Sequence, residues 1–266
     1  MSDAYEAMLS RISTKNCFDL TGKTALITGA SRGIGAAVAK LYAEFGAQVI
    51  VSSRSMDNIQ PVVDEITAAG GKAVGMVCHI GDPQAIETLM TDIQTQYGRL
   101  DILVNNAATN PYYGPVLNTT DSAVDKTIEV NIKGYFQISQ KAGLLMKENG
   151  GGAIINTASV NGVSPGPMQG IYSITKAAII SMTETFAKEC ARDNIRVNAV
   201  LPGLTDTKFA SALTKNEQMM KAVLPMIPMN RVAQPEEIAP AFLFLASDAA
   251  SYITGISMPV DGGMLI

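Results

Sequence analysis

The chain has 266 residues, no tryptophan, a single histidine (His79) and three cysteines, Cys17, Cys78 and Cys190. An odd number of widely spaced thiols does not make a disulfide framework, and one imidazole beside them lacks the ligand spacing of a zinc site. We therefore expect no metal and a reducing, cytoplasmic setting. Positive charge is also short: 20 Lys and Arg against 24 Asp and Glu leave a net charge of -4. That balance offers no field for nucleic acid or an anionic membrane, so a small molecule is the expected partner. Long apolar runs are missing too. None approaches the roughly 18 residues of a membrane span, and residues 1–20 lack the apolar centre of a signal peptide.

The apolar content of 47% with 17% charged residues is that of a globular protein with a sizeable core. Tyr5, Met8, Leu9 and Ile12 fall at helical spacing, which predicts a short docked helix in an N-terminal extension, residues 1–20. From residue 21 to 266 short β-rich runs alternate with helical periods, with no linker and no repeat, so one domain is expected. Lys23–Thr28, Gln48–Ser52, Ala73–Cys78 and Leu100–Val104 read as strands separated by three helices, and Asp82-Pro83 is an N-cap followed by proline at the first helical position. A long helix is expected over about Ser122–Lys147, then a strand at Ala153–Ala158, a helix at Tyr172–Ala191, a strand at Ile195–Leu201, a helix near Pro235–Ala246 and a last strand near Ser257–Val260. This order predicts an α/β fold: a single Rossmann-type, doubly wound parallel sheet of about seven strands with helices on both faces.

Two stretches carry chemistry. The turn Thr28-Gly-Ala-Ser-Arg-Gly-Ile-Gly35 follows the first strand and opens the first helix, where glycines let a pyrophosphate approach the backbone. Tyr172 and Lys176, four apart, share one helix face, and Ser159 ends the preceding strand. An ammonium beside a phenol favours the phenolate, so Lys176 is expected to lower the Tyr172 pKa from about 10 toward the range of efficient proton transfer.

The G-x-x-x-G-x-G spacing, Asn105-Asn-Ala-Ala108, Asn131 within Glu129-Val-Asn-Ile-Lys-Gly134, Ser159, Tyr172-x-x-x-Lys176 and Pro202-Gly203 together resemble the short-chain dehydrogenase/reductase family, from about Phe18 to the end. The resemblance implies that Tyr172 is the acid that protonates a carbonyl oxygen, or the base in the reverse oxidation. It makes Lys176 a partner of both Tyr172 and the nicotinamide ribose, Ser159 a hydroxyl for the substrate oxygen, and Asn131 the holder of a relay water. It places the cofactor on Gly29, Ser31, Arg32, Gly33, Ile34, Gly35, Asn106, Ala107, Ala108, Pro202, Gly203, Thr205 and Thr207. After the third strand an acid is common in the family; here His79 and Ile80 take that position, and His79 is expected to be a pocket wall. Ala108 stands where the family often has glycine. The family commonly forms homotetramers through its two long central helices and its C-terminal strand.

The second strand ends Ser52-Ser53-Arg54 with no acid. A carboxylate there would accept from the ribose hydroxyls of NAD, whereas Arg54, Ser53 and Arg32 suit a 2′-phosphate, with Asn58 one helical turn on; NADP(H) is the expected cofactor. The walls expected for the substrate are Tyr112 and Tyr113, Val160–Gln169 and the Met-rich stretch Phe209–Met229, mostly apolar. The resemblance extends to NADP-dependent carbonyl and retinal reductases and to 3-oxoacyl-(acyl carrier protein) reductases. An NADPH-dependent carbonyl reductase is the first expectation. The carrier-protein reductase is the second, and a non-catalytic dinucleotide-binding scaffold or sensor the third.

Overall fold

Seven apolar runs pair side by side in a parallel sheet in the computed structural model, which describes residues 16–214 and 216–266. The strands are β1 (Thr24–Thr28), β2 (Gln48–Ser53), β3 (Lys72–Val77), β4 (Ile102–Asn105), β5 (Gly152–Thr157), β6 (Ile195–Pro202) and β7 (Ser257–Val260), in the order β3-β2-β1-β4-β5-β6-β7. The expected helix around Tyr5–Ile12 lies outside the described residues.

Central strands are apolar on both faces because helices cover both. All five residues of β1 are buried, and Ile27 is in register with Val51 on one side and Val104 on the other. One face is covered by α1 (Gly33–Glu44), α2 (Met56–Ala68) and a late helix, α9 (Pro235–Ala246). There Tyr42, Val38 and Phe242 are completely buried, and the Tyr42 hydroxyl donates to the Phe242 carbonyl at 2.9 Å. The opposite face is covered by α3 (Pro83–Tyr97), α4 (Asp121–Ile128), α5 (Tyr135–Glu148) and α6 (Gly170–Cys190). Asp82 caps α3 by accepting from the Gln84 and Ala85 amides, as Asp-Pro predicts.

Strands run outward from β1 to β3, and the chain then returns to the other side of β1 to lay down β4. This reversal opens a crevice at the carboxyl ends of β1 and β4, where doubly wound sheets bind ligands. An excursion leaves the sheet after β6 and carries the short helices α7 (Ser211–Thr214) and α8 (Glu217–Val223). Its base is closed by backbone bonds between Leu204, Asp206 and Ala233.

The helix expected over Ser122–Lys147 differs in one respect. Between α4 and α5 the backbone widens into a π turn over Glu129–Gly134. A π turn adds a residue without breaking the helix, so a 3.6-residue apolar period does not reveal it. A side chain at Gly134 would collide with the Ile80 carbonyl, which lets this turn lie against the end of β3.

Candidate active site

Two strand-end turns meet at the crevice. Gly29 has φ +63, a conformation that disfavours side chains, and a Cβ there would stand 2.6 Å from the Ala107 Cα. At Gly35 a Cβ would meet the Asn106 amide nitrogen at 2.5 Å and the Gly29 carbonyl at 2.7 Å. Thr28 locks the pair: its hydroxyl donates to the Val104 carbonyl at 3.2 Å and accepts from the Asn106 and Ala107 amides at 2.9 and 3.2 Å. The Asn106 carboxamide donates to the Thr28 and Gly29 carbonyls, both at 3.1 Å, so it ties β4 to the glycine turn.

The cradle is therefore a bare backbone surface at the start of α1, suited to a pyrophosphate. Ser31 and Ile34 flank it half-buried, and Thr207 reaches it from the other wall, its methyl 3.2 Å from where a Gly33 Cβ would be. Pro202 closes β6. Gly203 lies against Asp261, and Thr205 is buried with its hydroxyl donating to the Gly203 carbonyl at 3.1 Å. Ala108 is half-buried just beyond Ala107. Ser53, the last residue of β2, is half-buried, and Arg32, Arg54 and Asn58 are exposed; among the described residues neither guanidinium is in an ion pair.

His79 is engaged locally. Its Nδ1 accepts from the Gly81 amide at 2.9 Å, which puts the ring proton of the neutral form on Nε2, 3.4 Å from Lys126 Nζ. Ile80 is buried.

Ser159, Tyr172 and Lys176 lie just past the end of β5 and in the first two turns of α6. Ser159 falls two residues past the observed end of β5, after a last backbone bond from the Ala158 amide to the Val200 carbonyl at 2.9 Å, and its hydroxyl caps the turn Val160–Gly162 by accepting from the Asn161 amide at 3.1 Å. Tyr172 is 8% exposed and Lys176 1%. Lys176 Nζ donates to the Thr157 carbonyl at 2.6 Å and lies 5.5 Å from the Tyr172 ring centroid.

The expected lowering of the Tyr172 pKa is not what this arrangement produces. Burial pushes the phenol up to about 12, with the Ser159 hydroxyl opposing, and burial pulls Lys176 down to about 7. Both groups are shielded from water, and desolvation disfavours whichever form is charged. At neutral pH Tyr172 is thus a protonated phenol.

Asn131 departs from expectation as well. Its carboxamide accepts from the Thr109 amide at 2.9 Å and donates to the Thr109 carbonyl and the Thr175 hydroxyl at 3.0 and 3.1 Å. Both N–H groups are consumed in tying the π turn to the loop after β4 and to α6, so the side chain is not free to hold a water by donation. Thr28, Thr157, Thr175 and Tyr135 were not singled out from the sequence. Their parts are played by a hydroxyl or a carbonyl, which composition does not mark, although Thr28 adjoins the glycine turn.

A polar ladder supports this edge from behind. Asn105 donates to Ser139 at 2.8 Å and to Asn156 at 2.9 Å, and Asn156 donates to Thr183 at 2.9 Å. Among the described residues no helix is long and apolar enough to cross a membrane.

A glycine turn, a switch-point crevice and a Ser–Tyr–Lys set on one sheet edge together define a doubly wound α/β architecture. Residues 29–265 match the family model described as Enoyl-(Acyl carrier protein) reductase. The chain is 40% identical over 247 residues to the 3-oxoacyl-[acyl-carrier-protein] reductase FabG of Thermotoga maritima, covering 93% of this chain and 99% of that one. It is 36% identical over 244 residues to human Dehydrogenase/reductase SDR family member 4, covering 92% and 88%. Among solved structures it resembles an NAD(P)-dependent gluconate 5-dehydrogenase from Beutenbergia cavernae with bound NADP, with a TM-score of 0.90, 34% identity and coverage of 94% and 99%. The chain belongs to the short-chain dehydrogenase/reductase family and is an oxidoreductase of that type.

Proposed function

We propose that the chain is an NADPH-dependent carbonyl reductase in which Tyr172 protonates the oxygen of a ketone or aldehyde, running in reverse as an alcohol dehydrogenase. The observation that carries this reading is a buried phenol beside Ser159 and Lys176 on the sheet edge that also bears the glycine cradle. A bound dihydronicotinamide would supply a hydride to the carbonyl carbon. Gly29, Ser31, Arg32, Gly33, Ile34 and Gly35 would hold the pyrophosphate side of the dinucleotide, and Ala107, Ala108, Pro202, Gly203, Thr205 and Thr207 the nicotinamide side, with Asn106 positioning the cradle.

In this reading Ser159 donates to the substrate oxygen as negative charge develops, and Tyr172 delivers the proton, forming the hydroxyl. Lys176, anchored on the Thr157 carbonyl, hydrogen-bonds the ribose and stabilises the phenolate left behind. Asn131 positions α6 and the loop after β4 rather than touching the reacting atoms.

The preference for NADP rests on Arg32 and Arg54, exposed and outside any ion pair among the described residues, at a strand end without an acid. Ser53 and Asn58 would complete that end; His79 and Ile80 would wall the adenine. In Arg54→Glu the ratio of kcat/KM with NADPH to that with NADH should fall at least about tenfold, the value of one charge-assisted pair. Equal turnover with NADH in the wild type would sink the assignment.

The Thermotoga relative supports a second reading, reduction of a 3-oxoacyl group on a carrier protein; rates on carrier-linked and free ketones separate the two. Exposed Phe136 and Leu144 on α5, with Phe186 of α6 edge-on to Phe136 at 5.3 Å, support a homotetramer built on these helices. The free cysteines and the low basic content support a cytoplasmic setting.

A further inference from the structure

We propose that Phe209, on the excursion after β6, is a specificity-determining residue: its ring is the wall beside the Tyr172 phenol and selects carbonyls flanked by an apolar or aromatic group over polyol ketones. The inference rests on the reductase reading above and names its substrate class.

The Phe209 ring lies against that of Tyr172 with centroids 5.6 Å apart and planes at 44°, a tilted aromatic pair. The two rings are unequally buried: Tyr172 is 8% exposed and Phe209 50%. The Phe209 ring therefore leans on that of Tyr172 while half of the residue's surface stays open. A carbonyl compound protonated by Tyr172 would bring the group on its carbonyl carbon beside this ring. Apolar substituents gain contact there, whereas the hydroxyls of a polyol lose water against a surface that cannot hydrogen-bond them.

Phe209 lies two residues beyond Thr207, which abuts the glycine turn, and within the excursion closed at its base by Leu204, Asp206 and Ala233. The ring is thus held on a short tether between cofactor cradle and catalytic phenol.

Covering the phenol has a second consequence, since the burial that raises the Tyr172 pKa includes this contact. The titratable groups facing Tyr172 are Lys176 on its own helix and Tyr135 at the start of α5. Asp206 and Lys208 flank Phe209 and are exposed. Removing the ring lets water reach the phenol and leaves Lys176 and Tyr135 in place.

The test uses the full-length wild type with Phe209→Ala and Phe209→Leu. NADPH binding is followed by fluorescence to show an intact cradle. Reduction of acetophenone is compared with reduction of a sugar-acid ketone of the kind named for the Beutenbergia cavernae neighbour, and the pH profile of 1-phenylethanol oxidation is recorded. The wild type should prefer the aryl ketone. Alanine should lower the aryl-to-polyol ratio of kcat/KM by about tenfold, the scale of a lost apolar contact, and leucine should restore most of it. The oxidation profile of the alanine variant should rise at lower pH, because a wetter phenol ionises more readily. An aryl-to-polyol ratio unchanged in alanine, or a wild type that prefers the polyol, overturns this inference alone. A wild type that binds NADPH and reduces no carbonyl overturns the reductase reading and this inference with it.

Discussion

The two walls of the crevice are built in different ways. On the β1–β4 side the wall is backbone: Gly29 against Ala107, Gly35 against Asn106, and the Thr28 hydroxyl joined to three main-chain groups. On the β6 side stands an excursion that lays the Phe209 ring against Tyr172 and carries half-exposed Met226 and Met229, its backbone bonded at the base and at Met229, whose amide donates to the Gly262 carbonyl. The first wall leaves no room for a Cβ, and in the proposed reading it would meet what every dinucleotide shares. The second, in the same reading, would meet a variable carbonyl compound with side chains that can shift, as Met does. Tyr172 stands between them, its helix tied to the first wall through Asn131 and Thr109 and its ring covered by the second.

If that contrast is right, one methyl group should do more damage on the first wall than the loss of a whole side chain on the second. Gly29→Ala forces a side chain into a left-handed backbone and against the Ala107 Cα, neither of which can yield cheaply. A loss of about 3 kcal/mol in urea unfolding is expected, with dinucleotide binding abolished in titration. A variant that kept both would remove the close-approach argument.

At the boundary the effect depends on pH. Lys176 has a pKa of about 7 in the folded chain against 10.5 when unfolded, so between these values the unfolded chain binds the proton that the folded chain lacks. Wild-type stability should therefore gain on Lys176→Met as pH is raised from 7 to 9.5, because the penalty for burying the ammonium is complete below the folded pKa and fades above it. Urea midpoints of the two proteins measured across that range check this; parallel curves would mean that Lys176 keeps its charge when folded. On the second wall Met226→Ala, at a side chain 60% exposed, should change stability by no more than about 0.5 kcal/mol and move KM for the carbonyl more than kcat.

The same contrast explains what could be read in the chain. The seven strands, their winding and the glycine turn were legible because strand periodicity and glycine spacing are direct traces of backbone geometry; the i, i+4 spacing of Tyr172 and Lys176 gave only their shared helix, and the family resemblance supplied their expected role. Strand limits moved by one or two residues, enough to put Ser159 beyond the ladder. The π turn was not legible, since one inserted residue leaves the apolar faces of α4 and α5 nearly aligned. Nor was the direction of the Tyr172 shift: a nearby ammonium and burial act oppositely, and only coordinates say how deep the phenol lies. The consumption of Asn131 by Thr109 and Thr175, and the covering of Tyr172 by Phe209, are long-range pairings with no local signature.

The central claim is that the buried phenol delivers the proton to a carbonyl. Tyr172→Phe keeps the ring and its packing and removes only the hydroxyl, so the direct measurement is single-turnover oxidation of NADPH by the wild type and by this variant at saturating ketone. The account predicts a rate lower by about a thousandfold, within the range of general acid catalysis, in a variant that still binds NADPH. Retention of more than a tenth of the wild-type rate would contradict it.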